Sequence, residues 1–593
     1  MKAQIINKND NLILRVKEEE ILPAAYMSYL EENADYEGFK RAGYTLFCAC
    51  VYMGDCTINE ISRVRPFNDH VWKAREEYDF TPVHNSLKKI IGDGGERVYV
   101  MLRVNLNAPL WWREENPDEC TVLSDGKAYM QSIFSKKWLA DAKLFLEKLC
   151  AYIQASEFCE NIIAVQVAGM QTEEWLALRT ATGCFDYSTP AKNAYSAWLE
   201  NKYKNKFNAY LPTLEELQGR HQGAVIDSEK YRNLIDYVQF FNEGYASTIK
   251  ALCAHVKKIT KGELLVGVFY GYVGVPSDFG QHAISPLFAD KNIDFFASPF
   301  AYVNARQGAM EWFFQGVMDS CRLAEKIWFM EADVRTCRTK PLYETNPELM
   351  AGEQTVAYFK HPVFSGPTTE PESLWTILRA FAKSLCAKSA FWWFDMWGDW
   401  YRTETMMPWL SRIRAEYERA TSQPMKKTSQ LAVFFDEEAG RAVSEEYYNQ
   451  GVYHQLIQLG FVGAPHDIYL TSDLDKIDKT QYKAYLYMLS KDSEKRKNVL
   501  VCNGERLEKE GCFTAEEIAL FLQKAGGHVF SEGNIVYANS RFISLTAVKD
   551  GEVKLSMPKA CKLKAFSDGN IYVGKEFTFN FAYNQTELFE VIE

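Results

Sequence analysis

The sequence predicts an α/β chain: a (β/α)8 TIM barrel, then a smaller α/β (flavodoxin-like) domain, then a small C-terminal β domain. Three observations predict it. Over the first 420 residues, short runs rich in Val, Ile, Phe and Tyr alternate with stretches of helical period. Most of those runs are continuously apolar, which is how a parallel strand buried on both faces reads. There are eight such alternations, the number a barrel requires, with an open doubly wound sheet as the alternative on pattern alone.

The candidate strands follow in order. They are EEEILPAAYM (18–27), YTLFCACVY (44–52), RVYVMLRVN (97–105), NIIAVQVAGM (161–170), LLVGVFYGY (264–272), IDFFASPFAY (293–302), KIWFMEAD (326–333) and SAFWWFDMW (389–397). The helical stretches between them include SKKWLADAKLFLEKLCAYI (135–153), whose apolar residues recur close to the 3.6 period. Others are 190–204, 231–256 and 373–388. The polar stretch 416–430, with Pro424, reads as a linker. A fresh buried strand then opens at LAVFFDEEA (431–439), and from about 536 short β runs are separated by the turn signals KDG and SDG. The expected domains are 1–425, 426–535 and 536–593.

Composition narrows the function. The chain has 593 residues, 47% hydrophobic and 24% charged, which excludes a disordered or collagenous protein. A net charge of −11 repels phosphate backbones and anionic membrane surfaces, so nucleic acid and membrane partners are not expected. The N-terminal MKAQIINKNDNLILR has no apolar core of a secretory signal, and no run reaches the length of a bilayer span. The 14 Cys are dispersed without a C-x-x-C pair. Cys48, Cys50 and Cys56 read as small buried hydrophobes, and a cytoplasmic location is expected.

Catalytic groups of such a barrel sit at the C-terminal strand ends. There the fourth strand offers Gln171, Thr172, Glu173 and Glu174. The seventh offers Glu331, Asp333 and Arg335, and the eighth offers Asp395 and Asp399. Trp112, Trp393, Trp397 and Tyr270 stand at or near other ends, in a chain that is 14% aromatic. Two carboxylates facing each other across a sugar are what glycoside hydrolysis needs: one protonated to donate to the leaving oxygen, one ionised to attack or to activate water. Flat aromatic faces suit the C–H side of a pyranose. A carboxylate such as Glu331 closing an apolar strand is costly to bury without a purpose.

These residues resemble the clan of retaining (β/α)8 glycoside hydrolases, most closely the family 42 β-galactosidases. The resemblance covers the barrel and both following domains, and extends to the phrases YDFTPVHNSLKKI (78–90), QSIFSKKW (131–138) and AYSAWLENKYKNKFNAY (194–210). It implies a retaining exo-β-glycosidase with Glu174, before Trp175, as acid/base and Glu331 as nucleophile. Asn105, Gln171, Tyr270, Asp333, Arg335 and Trp397 become expected substrate contacts, with Trp112 and Trp393. No metal or organic cofactor is implied, and a homotrimer built through 431–535 is. The Asn that the family places before its acid/base is Glu173 here, so Glu173 remains a competing acid/base or a further substrate contact. Other specificities stay open (β-mannosidase, β-glucosidase, β-glucuronidase, α-L-arabinosidase), as does a non-catalytic carbohydrate-binding barrel. A dinucleotide-binding oxidoreductase is disfavoured, because GDGGER (92–97) precedes its strand.

Overall fold

The computed structural model describes residues 2–92, 97–204, 210–219, 225–226 and 228–592. Residues 93–96 of GDGGER and 205–209 of the 194–210 phrase lie outside the described residues. Eight parallel strands close a barrel: β1 (Ala24–Met27), β2 (Leu46–Tyr52), β3 (Tyr99–Asn105), β4 (Ile162–Ala168), β5 (Leu265–Phe269), β6 (Phe295–Pro299), β7 (Ile327–Ala332) and β8 (Ala390–Phe394). Each pairs with its neighbours in chain order, and β8 closes on β1 through Phe391 opposite Ala24. Almost every strand residue is buried, as continuous apolar runs demand when helices cover the outside.

The helices after these strands are α1 (Tyr36–Arg41), α2 (Thr81–Ile91), α3 (Lys136–Ala155), α4 (Arg232–Ile259), α5 (Ser285–Phe288), α6 (Met318–Leu323), α7 (Glu370–Ala387) and α8 (Met406–Thr421). Local chemistry sets their starts. The Ser135 side chain accepts from the Trp138 N–H at the head of α3, and Thr369 with Glu372 forms a capping box at the head of α7. α5 and α6 are only four and six residues long, so the outer layer is thin there.

The first run splits, contrary to expectation. Pro23, which has no N–H to donate, divides it. Glu19–Ile21 pairs antiparallel with Asn11–Val16 in a three-stranded sheet outside the barrel, and only Ala24–Met27 enters it. That sheet begins with the hairpin Ala3–Lys8 and Asn11–Val16, turned by Asn9 and Asp10 at φ 53° and 63°. The expected linker starts late: 416–421 is still α8, and the loop begins at Ser422.

Beyond α8 lies a sheet of β9 (Leu431–Phe435), β10 (His466–Leu470), β11 (Ala484–Met488), β12 (Asn498–Cys502) and β13 (Glu505–Lys509), in the order β10-β9-β11-β12-β13. The first three run parallel; β12 and β13 are antiparallel additions on one side. The chain ends in an antiparallel sheet of β14 (Ile535–Ala538), β15 (Phe542–Thr546), β16 (Gly551–Ala565), β17 (Ile571–Phe581) and β18 (Thr586–Ile592). Gly551 and Gly569 supply the positive φ that the KDG and SDG turns need.

Buried charges join the three sheets. Glu311, after β6, binds Lys383 of α7 and accepts from Tyr537 of β14 at 2.9 Å. Asp319 of α6 accepts from the Ile468 N–H of β10 at 2.8 Å, while Lys427 bridges Asp319 and Asp467 at 3.1 and 3.0 Å.

Candidate active site

A cavity of about 430 Å³ opens at the C-terminal ends of the barrel strands, with Glu174 and Glu331 both on its wall. Glu331 is the penultimate residue of β7. Its Oε2 receives Arg103 Nη2 from β3 at 2.7 Å and Trp392 Nε1 from β8 at 3.1 Å. Arg103 is buried in the barrel, with its guanidinium 4.6 Å from the Phe269 ring centroid and 5.4 Å from that of Trp392. Its Nη1 donates to the Tyr29 hydroxyl at 3.2 Å.

Glu173 belongs to this buried network. It accepts from Tyr29 Oη at 2.8 Å and from Asn105 Nδ2 at 3.2 Å, and lies 3.7 Å from Arg103 Nη1. Glu174 stands apart. Thr172 Oγ1 donates to its Oε2 at 2.8 Å, and the Tyr272 hydroxyl is its other polar neighbour. The loop that presents it is bent hard: Met170, Thr172, Glu173 and Trp175 all have φ between 52° and 68°. A β-branched residue such as Thr172 is a strained occupant of that region, and such strain gathers at functional sites. Other bonds hold the loop. Trp175 Nε1 donates to the Val167 carbonyl at 2.9 Å, and Gln281 Nε2 donates to the carbonyls of Glu174 and Trp175 at 3.1 and 3.0 Å.

The two cavity carboxyls are tuned differently. Burial, reinforced by the charge of Glu331, pushes Glu174 up to about 8. Burial also raises Glu331, but the guanidinium of Arg103 pulls against it. Both carboxyls are thus raised by burial, but only Glu331 has a cation in hydrogen-bond contact, so their environments differ.

The other expected contacts divide. Arg335 lines the cavity beside Tyr302, which the sequence did not single out, and Asp333 holds both, accepting from Tyr302 Oη at 2.7 Å and pairing with Arg335. Burial works against the Asp333 carboxylate, yet Arg335 and Arg306 keep it below the usual range. Asn105 acts on Glu173. Gln171 accepts from the Glu60 N–H at 2.9 Å and ties the Glu173–Glu174 loop to the loop after β2. Trp397 donates to the Lys340 carbonyl at 2.9 Å and packs behind Phe359 and Phe364 of the cavity wall.

Tyr270, Trp393 and Trp112 are not brought to the cavity. Tyr270 donates to the Gly280 carbonyl at 2.7 Å, Trp393 to Tyr44 at 2.8 Å and Trp112 to Asp141 of α3 at 2.7 Å. For Trp393 the reason is strand alternation: neighbours on a strand face opposite sides. Trp392, opposite Glu331 in the β7–β8 register, points inward, so Trp393 points out to the helix layer. Two residues on from Tyr270, Tyr272 is buried with its hydroxyl beside Glu174 and in the field of Glu331. The strand-eight carboxylates are structural. Asp395 receives Tyr26 Oη at 2.8 Å, and Asp399 pairs with Arg338.

No family model matches the chain, and no curated protein does. Solved structures do match over nearly the whole length. The chain is similar to a β-galactosidase from Bacillus circulans sp. alkalophilus (11% identity, 96% of this chain and 99% of the other, TM-score 0.60). It is equally similar to a catalytic mutant of a GH42 β-galactosidase from G. stearothermophilus (10%, 97% and 98%, TM-score 0.60). An exo-carrageenase, GH42, from Bacteroides ovatus shares the fold at 11% identity over 99% and 84%, with a TM-score of 0.53. At such identities the likeness is one of fold: a closed eight-stranded barrel with two appended sheets. No helix among the described residues is long and apolar enough to cross a membrane.

Proposed function

We propose that this chain is a retaining exo-acting β-glycosidase, β-galactosidase-like in fold and mechanism. One observation carries the reading: a carboxyl whose burial raises it to about 8 shares a cavity with a second carboxyl fixed by the Arg103 guanidinium. Glu331 attacks the anomeric carbon, and the bond to the leaving oxygen breaks as Glu174 gives it a proton. Water then releases the sugar from Glu331, with Glu174 taking the water's proton. Arg103 and Trp392 orient the nucleophile, and Glu173 holds Arg103 and Tyr29 in place. The neighbouring folds support a carbohydrate substrate, since their names are those of a β-galactosidase and an exo-carrageenase. A cytoplasmic homotrimer joined through 431–535 completes the proposal; light scattering at the trimer mass tests the assembly.

The decisive experiment is a panel of p-nitrophenyl glycosides against wild type and Glu331→Gln. Release from one β-glycoside, with the variant below about one-thousandth of wild type, is expected. Near-normal turnover by the variant would remove Glu331 from the reaction.

A further inference from the structure

Beside the carboxylate cavity lies a second one of about 220 Å³. Arg335 and Val363 stand in the walls of both. Tyr583 and Asn584, in the turn between β17 and β18, form part of its outer side. Four side-chain atoms of this wall are buried without a hydrogen-bond partner: Arg335 Nε and Nη2, Trp312 Nε1 and Asn584 Oδ1. Three of the four are N–H donors. An unpaired buried donor costs about 1–3 kcal/mol, so this wall favours a ligand that brings acceptors.

Charge points the same way. Arg335 and Arg306 share the one carboxylate of Asp333, and all three side chains are buried, which leaves a positive charge in the inner wall. The other acid of the lining, Glu372, keeps its negative charge but is bonded to the hydroxyls and N–H groups of Thr368 and Thr369, so the unbalanced charge is local to the Arg335–Arg306 side. The Arg335 guanidinium lies 5.1 Å from the Trp400 ring centroid and 5.5 Å from that of Phe364. The Nε–Nη2 edge is the part of a guanidinium that meets two anionic oxygens side by side.

We propose that this second cavity is a subsite for an anionic substituent of the substrate sugar, a carboxylate or a sulfate ester, with Arg335 as its charged partner and Trp312 as a second donor. The proposal rests on the glycosidase reading for the identity of the ligand as a sugar.

The test is calorimetric binding to the full chain of matched sugars in the gluco and galacto series: the parent sugar, its uronic acid and its 6-sulfate. One anionic form is expected to bind about tenfold or more tighter than its parent, the yield of one charge-assisted hydrogen bond. Whether the uronic acid or the sulfate shows the gain identifies the source of the charge. Arg335→Gln should abolish the preference and Trp312→Phe should reduce it. If Arg335→Gln does not fold, Arg335→Lys and Trp312→Phe carry the test. Parent sugars binding as well as both anionic forms, or no sugar binding at all, would overturn the proposal. An anionic preference in binding without turnover of any glycoside would leave the subsite standing and remove the glycosidase reading. Turnover of neutral glycosides with no anionic preference would do the reverse.

Discussion

At the scale of single residues, the two adjacent glutamates divide the work by what surrounds them. Both carboxylate oxygens of Glu173 receive a donor, whereas Thr172 serves one oxygen of Glu174. Azide rescue separates them. Glu174→Ala should regain turnover with azide and yield the β-glycosyl azide, because a small anion fits where the acid/base stood. Glu173→Ala should lose activity and stay unrescued. The pH profile follows from the same tuning. The acid must carry its proton, so kcat/KM should fall as pH rises through about 8. Since the folded value of Glu174 lies above the unfolded one, near 4.3, its contribution to stability is present at low pH and lost on the way up to about 8. Glu174→Gln should therefore gain in Tm over wild type across that interval. In the proposed mechanism Thr172 positions this acid. Thr172→Val should lower kcat/KM about tenfold on glycosides with poor leaving groups and little on dinitrophenyl ones, and Thr172→Ser should restore it.

The sequence allowed Glu174 and Glu331 to be chosen because carboxyls at the ends of apolar runs are conspicuous. Arg103 carries the same signal, a lone charge inside VMLRVN, and its pairing with Glu331 only becomes visible once β3 and β7 face each other across the barrel. Glu173 could not be separated from Glu174 by residue type. The left-handed turns at Thr172 and Glu173, which send the two side chains to different partners, leave no compositional trace.

At the scale of elements, the same limit applies to strands. The eight runs were legible because burial on both faces makes them uniformly apolar, but that uniformity hides which residues point inward. Trp392 and Trp393 are indistinguishable by composition; the register with Glu331 separates them. Pro23 was a readable break, and it divides what looked like one strand. Helix starts are encoded locally and can be tested locally. Thr369→Ala removes half of the capping box on α7 and should cost about 1 kcal/mol, measured as a lower midpoint of denaturant unfolding.

At the scale of the whole molecule, the sheets are welded by charges that no linear pattern announced. Glu311, Lys383 and Tyr537 come from three distant stretches; the first two are shut away from water and Tyr537 is half-buried. Lys383→Met strands the Glu311 carboxylate beside Arg379 alone and should cost about 3 kcal/mol or more, seen as a lower Tm. Replacing Lys383 and Glu311 together by apolar residues should recover most of that loss.

The pairing of β1 with β8 also has a consequence for synthesis. Ala24 waits for Phe391, about 370 residues later, and Asn11 donates to the carbonyls of Thr421 and Gln423, later still. At about 5–20 residues per second, the ribosome needs roughly 20–80 s to deliver those partners. Throughout that interval the first strand presents an open edge to the cell, and a nascent chain of this length is a natural client for chaperones that shield such edges.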